Sequence, residues 1–400
     1  MRVSKGLIGG AFSVALGVLL IVFVLWKYTL GEILGAFRNV TPLLLAGYLL
    51  TSLFIMLVFA FRWRMLLRSQ GHDNVSFLEA FSYRTIDYGA SYVTPTGKLA
   101  GEPIRAAMLM RNGISFRQGL TSVTIDKTIE LSFTVVMFVI GCFLLILRNA
   151  LSGELAVFLA LLCAFLIFLN WTFYNRIFRG KPIFIALFNF FNLHRIKRLE
   201  RYQQSIIDFE RPIIKFYNEQ KKTYFKALGL SILLFSLSMV EYALLLKMVG
   251  VQPSISQTFM VFSVVGMAFL VPVPMGLGSL DLMQAWLFRA LGLSSAAGVG
   301  LAMITRSRDL LWVIVAVSFA MYYGSLKSVF DEAFHARYTN PVVKMTVFRG
   351  GRQEYLDMKL FRKESLRKLT ARERIASAKD KVVDRLFPRK GAIKFRIKKK

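Results

Sequence analysis

Ionisable side chains stand in two groups within stretches that are otherwise apolar. Lys98, Glu102, Arg105, Asp126, Lys127 and Glu130 form the first group, and Asp281, Arg306, Arg308 and Asp309 the second. Mixed acids and bases in such surroundings either neutralise one another or hold a charged ligand. Asp126 and Glu130, at i and i+4, share one helical face. Lys127 points elsewhere and can meet Glu102 or a ligand phosphate. Arg105 suits an anion, because its guanidinium matches phosphate in a bidentate fork, or it pairs with Glu102 or Asp126. Glu102 precedes Pro103 at the start of an arm, where a carboxylate also stabilises the positive end of a helix; Ser279 and Asp281 can do the same in the second group. Arg306 and Arg308 either contact a ligand or reach the outer surface with Asp309 as partner.

Other chemistries are poorly served. Cys142 and Cys163 lie within apolar runs and make no disulfide framework. His72, His194 and His335 are far apart, and no HExxH or Walker-type phosphate loop occurs. No catalytic set, metal site or cofactor is therefore expected.

The elements that must carry these charges follow from composition. Of the 400 residues, 55% are hydrophobic and 19% charged, with a net charge of +29. A soluble domain has about 25% charged residues, so this balance favours a multispanning membrane protein. Runs long enough to cross a bilayer as helices fall at 7–26, 42–61, 122–147, 154–174, 225–247 and 299–323. The first resembles a signal peptide at its start but lacks a cleavage site, and is expected to be a retained helix.

Basic residues flank the spans on one side: Arg62, Arg64, Arg68, Arg111, Arg117, the 176–222 segment and everything after 325. That face is expected to be cytoplasmic, and with it both termini. Trp63, Trp171, Trp286 and Trp312, with several tyrosines, fall near span ends and are expected to anchor the interfaces.

Two further segments are broken. Residues 77–111 turn at Pro95 and Gly97, and 257–292 turn around Pro272, Pro274, Gly276 and Gly278. Broken backbone at membrane depth survives where protein buries it or a wet cavity bathes it, so both are expected to be re-entrant hairpins, entering from opposite faces. A displacement of 179 residues pairs Pro95 with Pro274, Gly97 with Gly276, Ala106 with Ala285, Gly113 with Gly292, Ser115 with Ser294 and Gly119 with Gly298. Charge sign is kept at Glu102/Asp281, Lys127/Arg306 and Glu130/Asp309.

The expected fold is thus all-α: a polytopic helical membrane protein with six full spans and two opposed re-entrant hairpins in an inverted repeat. A transmembrane domain over 1–326 would contain repeat one at about 5–148 and repeat two at about 152–326. The second repeat carries a cytoplasmic amphipathic insertion at 176–222. A basic cytoplasmic tail follows at 327–400. From residue 325 onward stand 22 lysines and arginines against 8 acidic residues. Pro341 to Phe361 reads as a small hairpin around Gly350-Gly351, and Glu364 to Phe387 as a basic amphipathic helix.

The string Thr94-Pro95-Thr96-Gly97-Lys98-Leu99-Ala100-Gly101-Glu102-Pro103-Ile104-Arg105, followed by Ile125-Asp126-Lys127-Thr128-Ile129-Glu130, resembles the transmembrane region of lysylphosphatidylglycerol synthases and their flippase-like relatives. Pro272-Val273-Pro274-Met275-Gly276-Leu277-Gly278-Ser279-Leu280-Asp281 is similar to that family's second signature, with Asp281 where glutamate is common. The resemblance spans about residues 5–325.

It implies movement of an anionic, aminoacylated or polyprenyl-phosphate-linked lipid between leaflets of the membrane. With no Walker-type loop to consume ATP, such movement is expected to run downhill or to be coupled to an ion gradient by a carboxylate such as Glu102 or Asp126. The synthases' aminoacyltransferase module is not expected in the roughly 75 residues after the last span, so the chain is expected not to be an enzyme. Two alternatives stay open: a membrane enzyme or accessory subunit acting on a lipid-linked substrate, and a membrane-anchored electrostatic scaffold. The expected partners are anionic lipid headgroups; nucleic acid is not expected, and a homo-oligomer is left open.

Overall fold

The computed structural model describes residues 35, 38–94, 100–147, 153–190, 203–268 and 273–323, together with the backbone of strands 342–349 and 352–359. The chain divides into two compact units, Met1–Ser325 and Leu326–Lys400. In the second, β1 (Val342–Arg349) and β2 (Arg352–Lys359) pair antiparallel in a register that sets Arg349 opposite Arg352. The helix expected at 364–387 lies outside the described residues.

Every described helix belongs to the first unit. Thr41 caps α1 (Pro42–Ser69), its hydroxyl accepting the Leu44 N–H at 3.3 Å, and Pro42 fits the first turn, where no amide hydrogen is needed. Ser76 and Glu79 form a reciprocal cap at the start of α2 (Phe77–Val93). Next come α3 (Gly101–Met108), a 3-10 turn to Asn112, and α4 (Phe116–Leu147). Then follow α5 (Gly153–Phe178), α6 (Phe184–Phe190), α7 (Gln203–Glu219) and α8 (Lys221–Met248). The unit continues with α9 (Ile255–Ala268), a 3-10 turn at Pro274–Gly276, α10 (Ser279–Ala290) and α11 (Ser295–Tyr322).

Among the described residues, four helices are long and apolar enough to cross a membrane: α1, α4, α5 and α8. The chain is a polytopic helical membrane protein. Its apolar surface fits that environment, since α5 turns Leu161, Phe165, Phe168 and Trp171 outward, where water would penalise them. The stretch expected at 7–26 lies outside the described residues. Helix α11 has 28 residues, about 42 Å at 1.5 Å per residue, but Arg306, Arg308 and Asp309 interrupt its apolar middle. It is therefore not among the four.

Both proline- and glycine-broken segments are helix, break, helix: α2 then α3, and α9 then α10. Pro95, Gly97 and Lys98 at the first break, and Pro272 at the second, lie outside the described residues. The second break uses left-handed backbone at Met275 (φ 58°), Gly276 (58°) and Gly278 (74°).

Elements recur at the 179-residue interval. Helices α1 and α8 correspond at both ends, and α4 and α11 at their first residues. The turn closing each first arm is the same: Gly71 donates to the Arg68 carbonyl and His72 to Leu67, as Gly250 does to Lys247 and Val251 to Leu246. Gly113 and Gly292 (φ 75° and 73°) end their arms in a left-handed cap that side chains with a Cβ rarely adopt. Close crossings also correspond. A Cβ on Gly119 would lie 2.7 Å from the Ala106 carbonyl oxygen, and one on Gly298 2.6 Å from that of Gln284. Gly119→Ala and Gly298→Ala should therefore each cost about 1–3 kcal/mol through overpacking. Thermal unfolding in detergent measures this, and unchanged midpoints for both would refute the tight crossings.

Several apolar clusters hold the bundle, two of which join distant helices. Leu245, Met260, Leu280, Phe288 and Leu301 join α8 to α11 through α9 and α10. Leu66, Ile125, Ile129, Ile213 and Tyr217 join α1, α4 and α7. Helix α7 runs through Pro212 without ending there, burying Ile213, Phe216 and Tyr217. Its Glu210 accepts the amides of Ile183, Phe184 and Ile185, so it caps the positive end of α6. Residues 203–219 of the insertion are thus docked on protein along this face.

Candidate functional site

The first group of charges converges in the space framed by α1, α2, α3 and α4. At its centre Asp126 of α4 is wholly buried. One of its oxygens takes the Arg62 Nε and Nη2 groups, both at 2.9 Å, and the other takes Arg105 Nη1 at 2.9 Å. Arg105, also wholly buried, lies 3.2 Å from Asp87 and sets its guanidinium 4.7 Å from the Trp63 ring centre. Arg84 ties Asp87 at 2.9 Å to Glu130 at 3.0 Å. Arg62 lies 3.6 Å from Glu130 and donates to Ser231 of α8 at 2.9 Å.

Lys127 closes the network, 3.2 Å from Glu102 and 3.1 Å from Glu130. Four cations thus meet four carboxylates. Desolvating so many charges is tolerable because each has opposite charge and hydrogen bonds around it.

The network has a deep side and an open side. The side chains of Arg62, Arg105 and Asp126 are at most 1% exposed, whereas those of Glu102, Lys127 and Glu130 are 12%, 16% and 21% exposed. Arg105 Nη2 and Glu102 Oε2 have no hydrogen-bond partner among the described residues. The backbone permits this crowding only with glycine at 101, because a Cβ there would fall 2.0 Å from Asp87 Oδ1.

The second group separates in two. Arg306 binds Asp281 through both terminal nitrogens and donates to the Gly276 carbonyl at 2.8 Å, while Asp281 accepts the Gly278 N–H at 3.0 Å. Pro274, Gly276 and Gly278 are buried around this contact. The Lys127–Glu102 and Arg306–Asp281 pairs occupy corresponding positions. Arg308 instead meets Glu241 of α8 at 2.7 Å and Asp309 at 2.8 Å, and donates to Ser52 of α1 at 3.3 Å. Asp309 accepts the Tyr88 hydroxyl at 2.6 Å.

Several expectations need correction. Arg306 and Arg308 do not reach outward to the surface; both turn into the protein, because carboxylates on α10 and α8 offer closer partners. Trp63 is no interfacial anchor: it is fully buried, donating to Ser122 at 3.2 Å. Trp312 donates to Ser52 at 2.9 Å. Arg62 is buried among acids and marks no membrane face. Lys98 lies outside the described residues. The sequence analysis gave no role to Arg84 and Asp87, which lie within the 77–111 segment, nor to Glu241. A carboxylate within an apolar run, 179 residues after Arg62, was the available signal.

No individually curated protein matches the chain. Residues 10–318 match the family described as the lysylphosphatidylglycerol synthase TM region, which includes the whole of both charge groups. A helical membrane unit whose two signature segments converge on buried ion-pair networks belongs, by that match, to the lysylphosphatidylglycerol synthase TM region family.

Proposed function

We propose that the chain is a lipid translocase of the cell membrane that moves an anionic or aminoacylated phospholipid, or a related polyprenyl-phosphate lipid, between leaflets without itself catalysing a reaction. The observation that carries this reading is the charge-balanced network with one open side. Lys127 at that side is a phosphate contact, Arg105 Nη2 is a spare donor behind it, and Glu102 Oε2 is a spare acceptor for a headgroup ammonium. A zwitterionic or anionic headgroup can exchange with existing ion pairs there and stay solvated by protein. Its acyl chains remain in lipid.

In this reading the two halves form an inverted-topology repeat whose broken segments enter from opposite faces, with both termini cytoplasmic. The 179-residue recurrence of helix ends, glycine caps and close crossings supports it. Basic residues from 325 onward favour anionic lipid as the surface partner.

The test is leaflet exchange. In vesicles of phosphatidylcholine containing fluorescent phosphatidylglycerol or lysyl-phosphatidylglycerol, the reconstituted protein should make the inner-leaflet probe accessible to an impermeant quencher faster than protein-free vesicles do. Product formation without exchange would point to a membrane enzyme. Absence of exchange for both lipids and for a polyprenyl-phosphate probe would overturn the translocase reading.

A further inference from the structure

Among the described residues, the second buried network is not charge-balanced. Glu241 and Asp309, 3% and 1% exposed, share one cation, Arg308. Asp309 Oδ2 is buried with no hydrogen-bond partner among the described residues. Arg306 stands nearby on the same helix but is committed to Asp281 and the Gly276 carbonyl. Among the described residues, the other titratable groups near these carboxylates are Tyr48 from α1, Tyr88 and Tyr92 from α2, and Tyr242 from α8, all neutral when protonated. Two carboxylates with one guanidinium leave a net negative charge in a low-dielectric interior, which is costly unless a cation joins them.

We infer that Glu241, Arg308 and Asp309 form a proton-binding site, separate from the headgroup network, whose occupancy is linked to the movement of α2 against α11. A proton meets the need better than a metal ion, because it requires a single acceptor. Asp309 Oδ2 supplies one, whereas Oδ1 is already taken by Tyr88 and Arg308. Glu102 and Asp126, the carboxylates expected to couple an ion, are poorer candidates: Lys127 compensates the first and two arginines the second.

The linkage is mechanical. Tyr88 on α2 holds Asp309, while the adjacent Asp87 holds Arg84 and Arg105 of the headgroup network. Helix α1 likewise contributes Ser52 to one network and Arg62 to the other, and α8 contributes Glu241 and Ser231. A proton on the carboxylate pair removes a charge from the cluster that orders Tyr88 and Arg308, so the grip of α11 on α2 changes with it.

Although the transport consequence rests on the translocase reading, proton binding itself does not. Infrared difference spectra of the full chain in phosphatidylcholine vesicles, between acid and alkaline pH, should contain the C=O stretch of a protonated carboxylic acid. Asp309→Asn and Glu241→Gln should remove or shift that band, and Asp309→Glu should restore it. A spectrum without such a band, or a band indifferent to all three substitutions, overturns the site.

In the exchange assay with fluorescent phosphatidylglycerol, an imposed pH gradient should change the wild-type rate severalfold and leave Asp309→Asn unresponsive. Exchange indifferent to the gradient in the wild type, or equally responsive in Asp309→Asn, overturns the linkage while the translocase reading stands. If no lipid moves in the wild type, that reading and the linkage fall together, and the infrared result alone decides the proton site.

Discussion

Asp126→Asn should cost about 3–5 kcal/mol of stability, the range for removing one partner of a buried ion pair. The amide preserves the shape of the side chain, so neither a cavity nor a clash contributes. What changes is charge: Arg62 and Arg105, both held at 2.9 Å by Asp126, lose their shared carboxylate at the deep side of the network, where these side chains are at most 1% exposed. Arg105 keeps Asp87 at 3.2 Å and Arg62 keeps Glu130 at 3.6 Å, which prevents complete loss but leaves four cations against three acids. Thermal unfolding of the detergent-extracted protein should register a large fall in midpoint. Adding Arg62→Met to Asp126→Asn restores charge balance and should recover part of the loss. A single variant as stable as the parent would mean that Asp126 does not anchor the network.

Much of this arrangement was legible because membrane segments make rare residues conspicuous. Proline, glycine and charge at a constant 179-residue interval located both broken segments before any coordinates, and helix ends and caps follow the same interval. The pairing of Asp126 and Glu130 on one face was also readable from helical spacing, and both now lie within reach of Arg62.

Depth was harder to read. Arg62 and Trp63 sit near the end of an apolar run, which by sequence alone describes an interfacial residue, yet both are buried, the first against α4 and α8 and the second against α3 and α4. Ion-pair partners were equally hidden, because Arg308 finds Glu241 across 67 positions of chain through the packing of α8 against α11. Local spacing carries no trace of such contacts. The insertion containing α7 was recognisable as amphipathic, but its apolar face packs on α4, a partner that amphipathicity does not specify.

Lys127→Gln should separate function from stability in the opposite sense to Asp126→Asn. Lys127 stands at the open side of the network, where water can approach Glu102 when the ammonium is gone, and Glu130 retains Arg84 at 3.0 Å. The fold should therefore lose less than it does with Asp126→Asn, because these side chains are 12–21% exposed where those around Asp126 are at most 1% exposed. Headgroup binding should suffer more. A charge-assisted hydrogen bond contributes about 1.5–3 kcal/mol, and 1.4 kcal/mol is tenfold, so exchange of fluorescent phosphatidylglycerol should slow roughly ten- to a hundredfold. Lys127→Arg keeps the charge and should retain a substantial part of the rate, which separates a need for positive charge from a need for an ammonium. If Lys127→Gln exchanges lipid at the parent rate while remaining folded, the phosphate does not pass by this residue. The contact would then have to lie deeper, at Arg105, or at Arg306 in the corresponding position of the second half.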